Sequence, residues 1–202
     1  MTTDLPKTIR QLAGIEPRIP KFTDSVLILI DEQNEYVEGP LQLKGIAEAH
    51  AVNIRVLEAA RAAGADIVHV AQKGGAGGPF DRTAHRGQFI AEVAPRDGEP
   101  VVEKTFASAF ARTTLDEVLS GTARKSLIIV GYMTHNCVTG TAFDAVTRDY
   151  AVTIIADATA TRDLPDGTGG FVPAEDLQRA QLAGLLDRQA LVISSETLLS
   201  AQ

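Results

Sequence analysis

The chain has one cysteine in 202 residues, no tryptophan, two methionines and three tyrosines. A lone cysteine, Cys137, cannot form an internal disulfide, so the fold needs no oxidising compartment. Its thiol is then a buried filler, a redox-sensitive group or a nucleophile. No apolar run approaches the roughly 20 residues that cross a bilayer, because charge interrupts every strand-like stretch. The first twenty residues carry Asp4, Lys7, Arg10, Glu16 and Arg18 and no apolar segment of the signal-peptide kind. A cytoplasmic location is the resulting expectation, with no membrane partner. Basic residues are also in deficit, 19 Lys and Arg against 26 Asp and Glu, and they are scattered. Nucleic-acid binding needs a basic face, so no nucleic-acid partner is expected.

What the chain does have is enough apolar content, 45% of residues, to fill one core. One domain over residues 22–202 is expected, after an N-terminal extension of residues 1–21. Short Val, Ile and Leu runs alternate with segments of helical period, the pattern of a parallel sheet covered by helices on both faces. The fold class expected is α/β, with three α/β/α layers. Strands are expected at Ser25–Ile30, Asp66–Val70, Pro100–Val102, Ser126–Val130, Val152–Ala156 and Leu191–Ser194. The first, SVLILI, is continuous rather than alternating, as a strand buried on both faces must be. Helices are expected over Gly45–Ala63, Gln88–Val93 (weakly periodic), Leu115–Leu119, from Cys137 onward, and over Ala174–Leu186. The glycines between Gly74 and Gly78 and the segment Leu164–Pro173 read as loops.

Ligands of open parallel sheets sit beyond the carboxyl ends of the strands. Three chemically useful groups fall there. Asp31 follows the first strand, Lys104 the third, and Cys137 comes just after the fourth, at the start of a helix. Each alone has a plain alternative: a cap, a solvated surface lysine and a buried small hydrophobe. A helix start and a neighbouring ammonium would lower a thiol pKa, which favours reactivity for Cys137.

The segments DEQNEY (Asp31–Tyr36), VEKTFASAF (Val102–Phe110) and GYMTHNCVTGTA (Gly131–Ala142) resemble, in order, the three signature blocks of isochorismatase-like cysteine hydrolases. The resemblance extends over about residues 22–195. It implies a six-stranded parallel sheet in the order 3-2-1-4-5-6 and an Asp31, Lys104, Cys137 triad. It also implies a cis peptide at Tyr132–Met133 and an oxyanion hole made by the backbone N–H groups of Met133 and Cys137. Gln33, Tyr36, Phe110, Tyr132, Thr134 and His135 are the candidate substrate contacts, with packing as the alternative for the aromatics. In that order the third strand lies two spacings, about 10 Å, from the first, so the Lys104 loop must bend inward.

The four histidines, His50, His69, His85 and His135, show no zinc-site spacing, and the Asp-x-His motif of the metal-binding nicotinamidases is missing. No metal and no cofactor are expected. The implied activity is hydrolysis of a small amide, ureide or related acyl compound through a Cys137 acyl-enzyme. A cysteine retained at this position favours acyl chemistry over the vinyl-ether cleavage of isochorismatases proper. The rival is a small-ligand binding or redox-sensing domain in which Cys137 is not a nucleophile. A dinucleotide-binding reading fails because no G-x-G-x-x-G follows the first strand. The partner expected is a small-molecule substrate, in a homodimer or homotetramer, the assemblies common in the family.

Overall fold

The computed structural model describes residues 5–202. Residues 1–4 of the expected extension, Asp4 among them, lie outside the described residues. The rest of the extension forms a one-turn helix α1 (Ile9–Leu12) with a Thr8 and Gln11 capping box. The Ile9 N–H donates to the Asp187 carboxylate, 2.8 Å away, which ties this segment to the domain.

Six strands make one parallel sheet: β1 (Val26–Ile30), β2 (Asp66–Gln72), β3 (Val101–Lys104), β4 (Ser126–Tyr132), β5 (Ala151–Ala160) and, after a small two-stranded ribbon, β8 (Leu191–Ile193). Their order is β3-β2-β1-β4-β5-β8, the expected 3-2-1-4-5-6 once β8 is counted as the sixth sheet strand. Alternate residues of β1 serve two cores. Val26, Ile28 and Ile30 face one side and Leu27 and Leu29 the other. On the first side pack α4 (Leu115–Ser120), α5 (Thr139–Val146) and α6 (Ala174–Arg188), through Leu115, Leu119, Ala142, Ala145 and Leu185. On the second lie α3 (Ile46–Ala62) and α7 (Ser195–Ser200), through Val52, Val56, Leu57, Ala60 and Leu198. The continuous apolar reading of SVLILI therefore has its cause in two buried faces.

Several boundaries differ from the sequence-based expectation. The segment Gln88–Val93 is not a helix. Its backbone is used up by pairing with the chain after β1, where Asn34 N–H donates to the Gln88 carbonyl at 3.0 Å and Ile90 N–H to the Glu32 carbonyl at 2.9 Å. Only short 3₁₀ turns remain, at His85–Gly87 and Ala91–Val93. Gly131 does not end β4. It sits at φ 103°, where the register with β5 shifts, and an added Cβ would lie 2.1 Å from the Ile30 carbonyl oxygen. β4 thus reaches Tyr132, and past the irregularity β5 continues to Ala160 rather than stopping near Asp157. The loop from Leu164 is pinched into an antiparallel ribbon, β6 (Leu164–Pro165) with β7 (Phe171–Val172). No helix among the described residues is long and apolar enough to cross a membrane.

Candidate active site

The carboxyl ends of β1, β4 and the edge strand β3 bring three groups to one place. Asp31 follows β1 in a left-handed conformation, φ 54°, with its N–H held by the Val70 carbonyl of β2 at 2.9 Å. That turn aims the carboxylate back into the fold. Lys104 is the last residue of β3 rather than part of a loop, so no loop bends inward. Its long side chain crosses the end of β2 instead, and its Nζ donates to Gln72 Oε1 at 2.6 Å on the way. Cys137 lies in a π-type turn, Thr134–Val138, that leads from β4 into α5. Lys104 Nζ sits 2.8 Å from Asp31 Oδ2 and 3.1 Å from Cys137 Sγ. The ammonium therefore touches both other groups.

All three are buried, Cys137 being only 3% exposed. Neither Asp31 oxygen has a hydrogen-bond partner among the described residues, and the Lys104 ammonium is the cation paired with Oδ2. Burial accordingly raises the Asp31 pKa, with Lys104 opposing it only in part. Burial lowers that of Lys104, but the Asp31 charge and the Cys137 sulfur outweigh it, so the ammonium is held charged above its ordinary range. For Cys137, burial and the Asp31 carboxylate push the thiol up to about 12 against the pull of Lys104. The sequence argument for a lowered thiol pKa is thereby corrected. Desolvation and the acid outweigh helix start and ammonium, and the resting sulfur is a neutral thiol.

The other sequence candidates divide sharply. Gln33 is fully buried and is a structural pin: its Nε2 donates to the Gln72 and Gly87 carbonyls, and its Oε1 accepts from Gln72 N–H. Thr134 is also buried, its hydroxyl spent on the Ala160 carbonyl at 3.1 Å. Phe110 packs in the core with Leu115 and Tyr150, under the Arg148 guanidinium 4.6 Å from its ring. Tyr132 is buried, with its hydroxyl bonded to Asn53. These four side chains have protein partners: hydrogen bonds for Gln33, Thr134 and Tyr132, and ring packing for Phe110. Tyr36 stacks edge-on against Phe80 and Tyr132 in a third apolar cluster. Asp31 and Cys137 both press its hydroxyl toward the neutral form, after burial itself, which places it beside the site. His135 is half-buried, with Nδ1 2.5 Å from Thr161 Oγ1, and burial and the Arg162 charge lower its pKa. The Tyr132–Met133 peptide is cis, and the Met133 N–H donates to no protein acceptor among the described residues.

A cleft of about 490 Å3 lies at the carboxyl end of β5, lined by Lys44, Glu48, Thr161, Pro173 and Gln178 among others, and by none of the three converging residues. His135 is bonded to Thr161 on its wall. Two residues near the site escaped the sequence reading. Gln72 is register partner of Lys104 and could have been found from its place at a strand's carboxyl end. Arg162, half-buried, acts on both Tyr36 and His135, and its Nε has no partner. No sequence signal marked it. No three His, Cys, Asp or Glu among the described residues gather as a metal-ligand set.

Fold and carboxyl-edge site together define a hydrolase of the three-layer α/β/α class, and comparison with known proteins gives its family. The isochorismatase domain model matches residues 25–197, which takes in every sheet strand, and the chain belongs to the isochorismatase family. A secreted isochorismatase effector of Verticillium dahliae is 38% identical over 94% of this chain and 97% of its own. The ureidoacrylate amidohydrolase of Variovorax paradoxus is 32% identical over 71% of each chain. An isochorismatase crystal structure from Pseudomonas putida superposes with a TM-score of 0.92 at 39% identity, covering 96% of this chain and 100% of that one.

Proposed function

We propose that the protein is a cysteine hydrolase of small amides, ureides or related acyl compounds, with Asp31, Lys104 and Cys137 as its catalytic residues. The observation that carries this reading is the single ammonium within 2.8 Å of a buried carboxylate and 3.1 Å of the chain's only thiol. A neutral thiol beside a carboxylate of raised pKa is a proton donor beside a strengthened base. Asp31 takes the thiol proton as the sulfur attacks the carbonyl carbon, and Lys104 holds the thiolate. The new oxyanion is met by the backbone N–H groups of Met133 and Cys137. The C–N bond breaks as Asp31 returns the proton to the departing amine. Water, deprotonated by Asp31, then attacks the thioester, releases the acid and restores the thiol.

Arg162, whose charge acts on Tyr36 and on His135 two residues before the sulfur, supplies a cation that suits a substrate with an anionic or strongly polar substituent. The amidohydrolase named among the relatives supports amide chemistry. Vinyl-ether hydrolysis is the second reading, favoured by the isochorismatase names of the other two relatives. It needs no thiol. Two assays with Cys137→Ser as control separate them: ammonia released from a panel of primary amides and ureides and lost in the variant supports the first, whereas no ammonia from any of them, with an enol-derived carbonyl product released from a vinyl ether by wild type and variant alike, supports the second.

Two further parts of the reading concern context. A cytoplasmic setting is supported by one unpaired, buried thiol, although the Verticillium relative is a secreted protein, and cell fractionation decides. A homodimer or homotetramer is supported by apolar side chains left exposed on α5, Phe143 at 47% and Val146 at 37%. Sedimentation gives the mass directly.

A further inference from the structure

The chemistry assigned above uses Asp31 but not its neighbour. Glu32 is fully buried, and its Oε1 accepts a hydrogen bond from Asn53 Nδ2 on α3. The same Asn53 nitrogen also donates to the Tyr132 hydroxyl, at 3.1 Å. Asn53 thus bridges Glu32 and Tyr132, and so links the chain just past β1, the middle of α3 and the end of β4. Asn53 and Tyr132 are fully buried as well. The charged neighbours on every packed element are few. His50, one turn earlier on α3, has Nδ1 3.5 Å from Glu32 Oε2, and Glu92 lies 3.7 Å from its other ring nitrogen. Asp31 adds its charge from the adjacent residue. A buried carboxylate costs several kcal/mol in desolvation, which an apolar residue of similar size would avoid. A polar network retained at that cost holds its members in one geometry.

What it holds is the backbone on either side of the reaction. Glu32 follows Asp31 directly, and Tyr132 precedes Met133, whose N–H has no protein acceptor among the described residues. We propose that Glu32, Asn53 and Tyr132 are a positioning clamp, which fixes the Met133 amide against the Cys137 sulfur so that it meets the oxyanion. This rests on the acyl-enzyme reading of the site. The three residues touch no substrate. They act through the backbone, where a misplacement of about 1 Å can cost about 100-fold in rate.

Cys137 is the only thiol, so covalent labelling reports it alone. Two reagents divide the question. With p-nitrophenyl acetate the sulfur bonds to the acetyl carbon through an oxyanion, p-nitrophenolate leaves and the thiol proton passes to Asp31. With iodoacetamide the sulfur displaces iodide from a methylene carbon and no oxyanion forms. Tyr132→Phe and Asn53→Leu are expected to slow acetylation by about 10- to 100-fold while alkylation stays within about threefold of the wild type. Glu32→Gln, which keeps an acceptor for Asn53 Nδ2, is expected to hold acetylation within about threefold. Melting curves establish that each variant is folded. Acetylation unchanged in folded Tyr132→Phe and Asn53→Leu overturns the clamp, and so does a parallel fall in both reactions, which marks a merely structural role. A wild-type thiol inert to both reagents overturns the acyl-enzyme reading beneath it.

Discussion

Replacing Asp31 by Asn should make Cys137 more acidic while abolishing turnover, two effects that a simple activating role for the acid would not combine. Asp31 Oδ2 and Cys137 Sγ both contact Lys104 Nζ, at 2.8 and 3.1 Å, so they lie at most about 6 Å apart. At an effective dielectric of about 20, two like charges at about 6 Å repel by about 3 kcal/mol, or about two pKa units. The thiol, pushed up to about 12 by burial and by Asp31, should then titrate near about 10 in Asp31→Asn, where Lys104 acts unopposed. Thiolate absorbance near about 240 nm, read as the difference from Cys137→Ala, follows the titration. Wild-type protein should show no thiolate step below about pH 11, and the variant a clear one. Amide turnover should nevertheless fall by about 10²- to 10⁴-fold, since the proton acceptor and donor is gone. A thiol pKa unchanged or higher in Asp31→Asn would refute the electrostatic account of the site.

Three other outcomes follow from the same geometry. Lys104→Met strips the cation from a fully buried carboxylate and should cost about 3 to 5 kcal/mol at pH 8. The loss should shrink as pH falls, because burial raises the Asp31 pKa, the lost cation no longer opposes it and protonation removes the unpaired charge; denaturant melts over a range of pH values measure it. Glu32, raised by burial to about 7 from its ordinary 4.5, binds its proton more tightly folded than unfolded. Its contribution to stability is full below about pH 4.5 and is lost as pH rises through about 7, about 3 kcal/mol in all. Glu32→Gln should therefore compare more favourably with wild type at pH 8 than at pH 5, and equal differences at both would contradict the shift. Gly131→Ala places a Cβ 2.1 Å from the Ile30 carbonyl oxygen at a φ of 103°, and should lower stability by about 3 kcal/mol or more, seen as a fall in Tm.

The fold was legible because burial on two faces leaves a direct trace. SVLILI read as a central strand from apolar continuity, SLIIV (Ser126–Val130) read as a strand, and the three blocks placed Asp31, Lys104 and Cys137 in chain order. Their convergence is a matter of strand order, which periodicity does not carry. The Gln88–Val93 segment misled because its weak helical period is overridden by pairing with the chain after β1. Gln33, Tyr132 and Thr134 looked like substrate contacts by proximity in sequence, yet their polar atoms are consumed by protein partners that only the tertiary structure brings within reach. The thiol's acidity was misjudged for a related reason. Desolvation depends on what covers the sulfur, and residues distant in sequence do the covering. Glu32 stood in the first signature block with no role attached to it, and Asn53, 21 residues on, lay in no block.

The most direct test of the central claim is the intact mass of the protein during turnover of an amide or ureide found by ammonia release. The account requires an added acyl mass on the Cys137 peptide that forms within one turnover, decays with product release and is absent in Cys137→Ser. Steady turnover with no adduct on Cys137, and undiminished in Cys137→Ala, would contradict it.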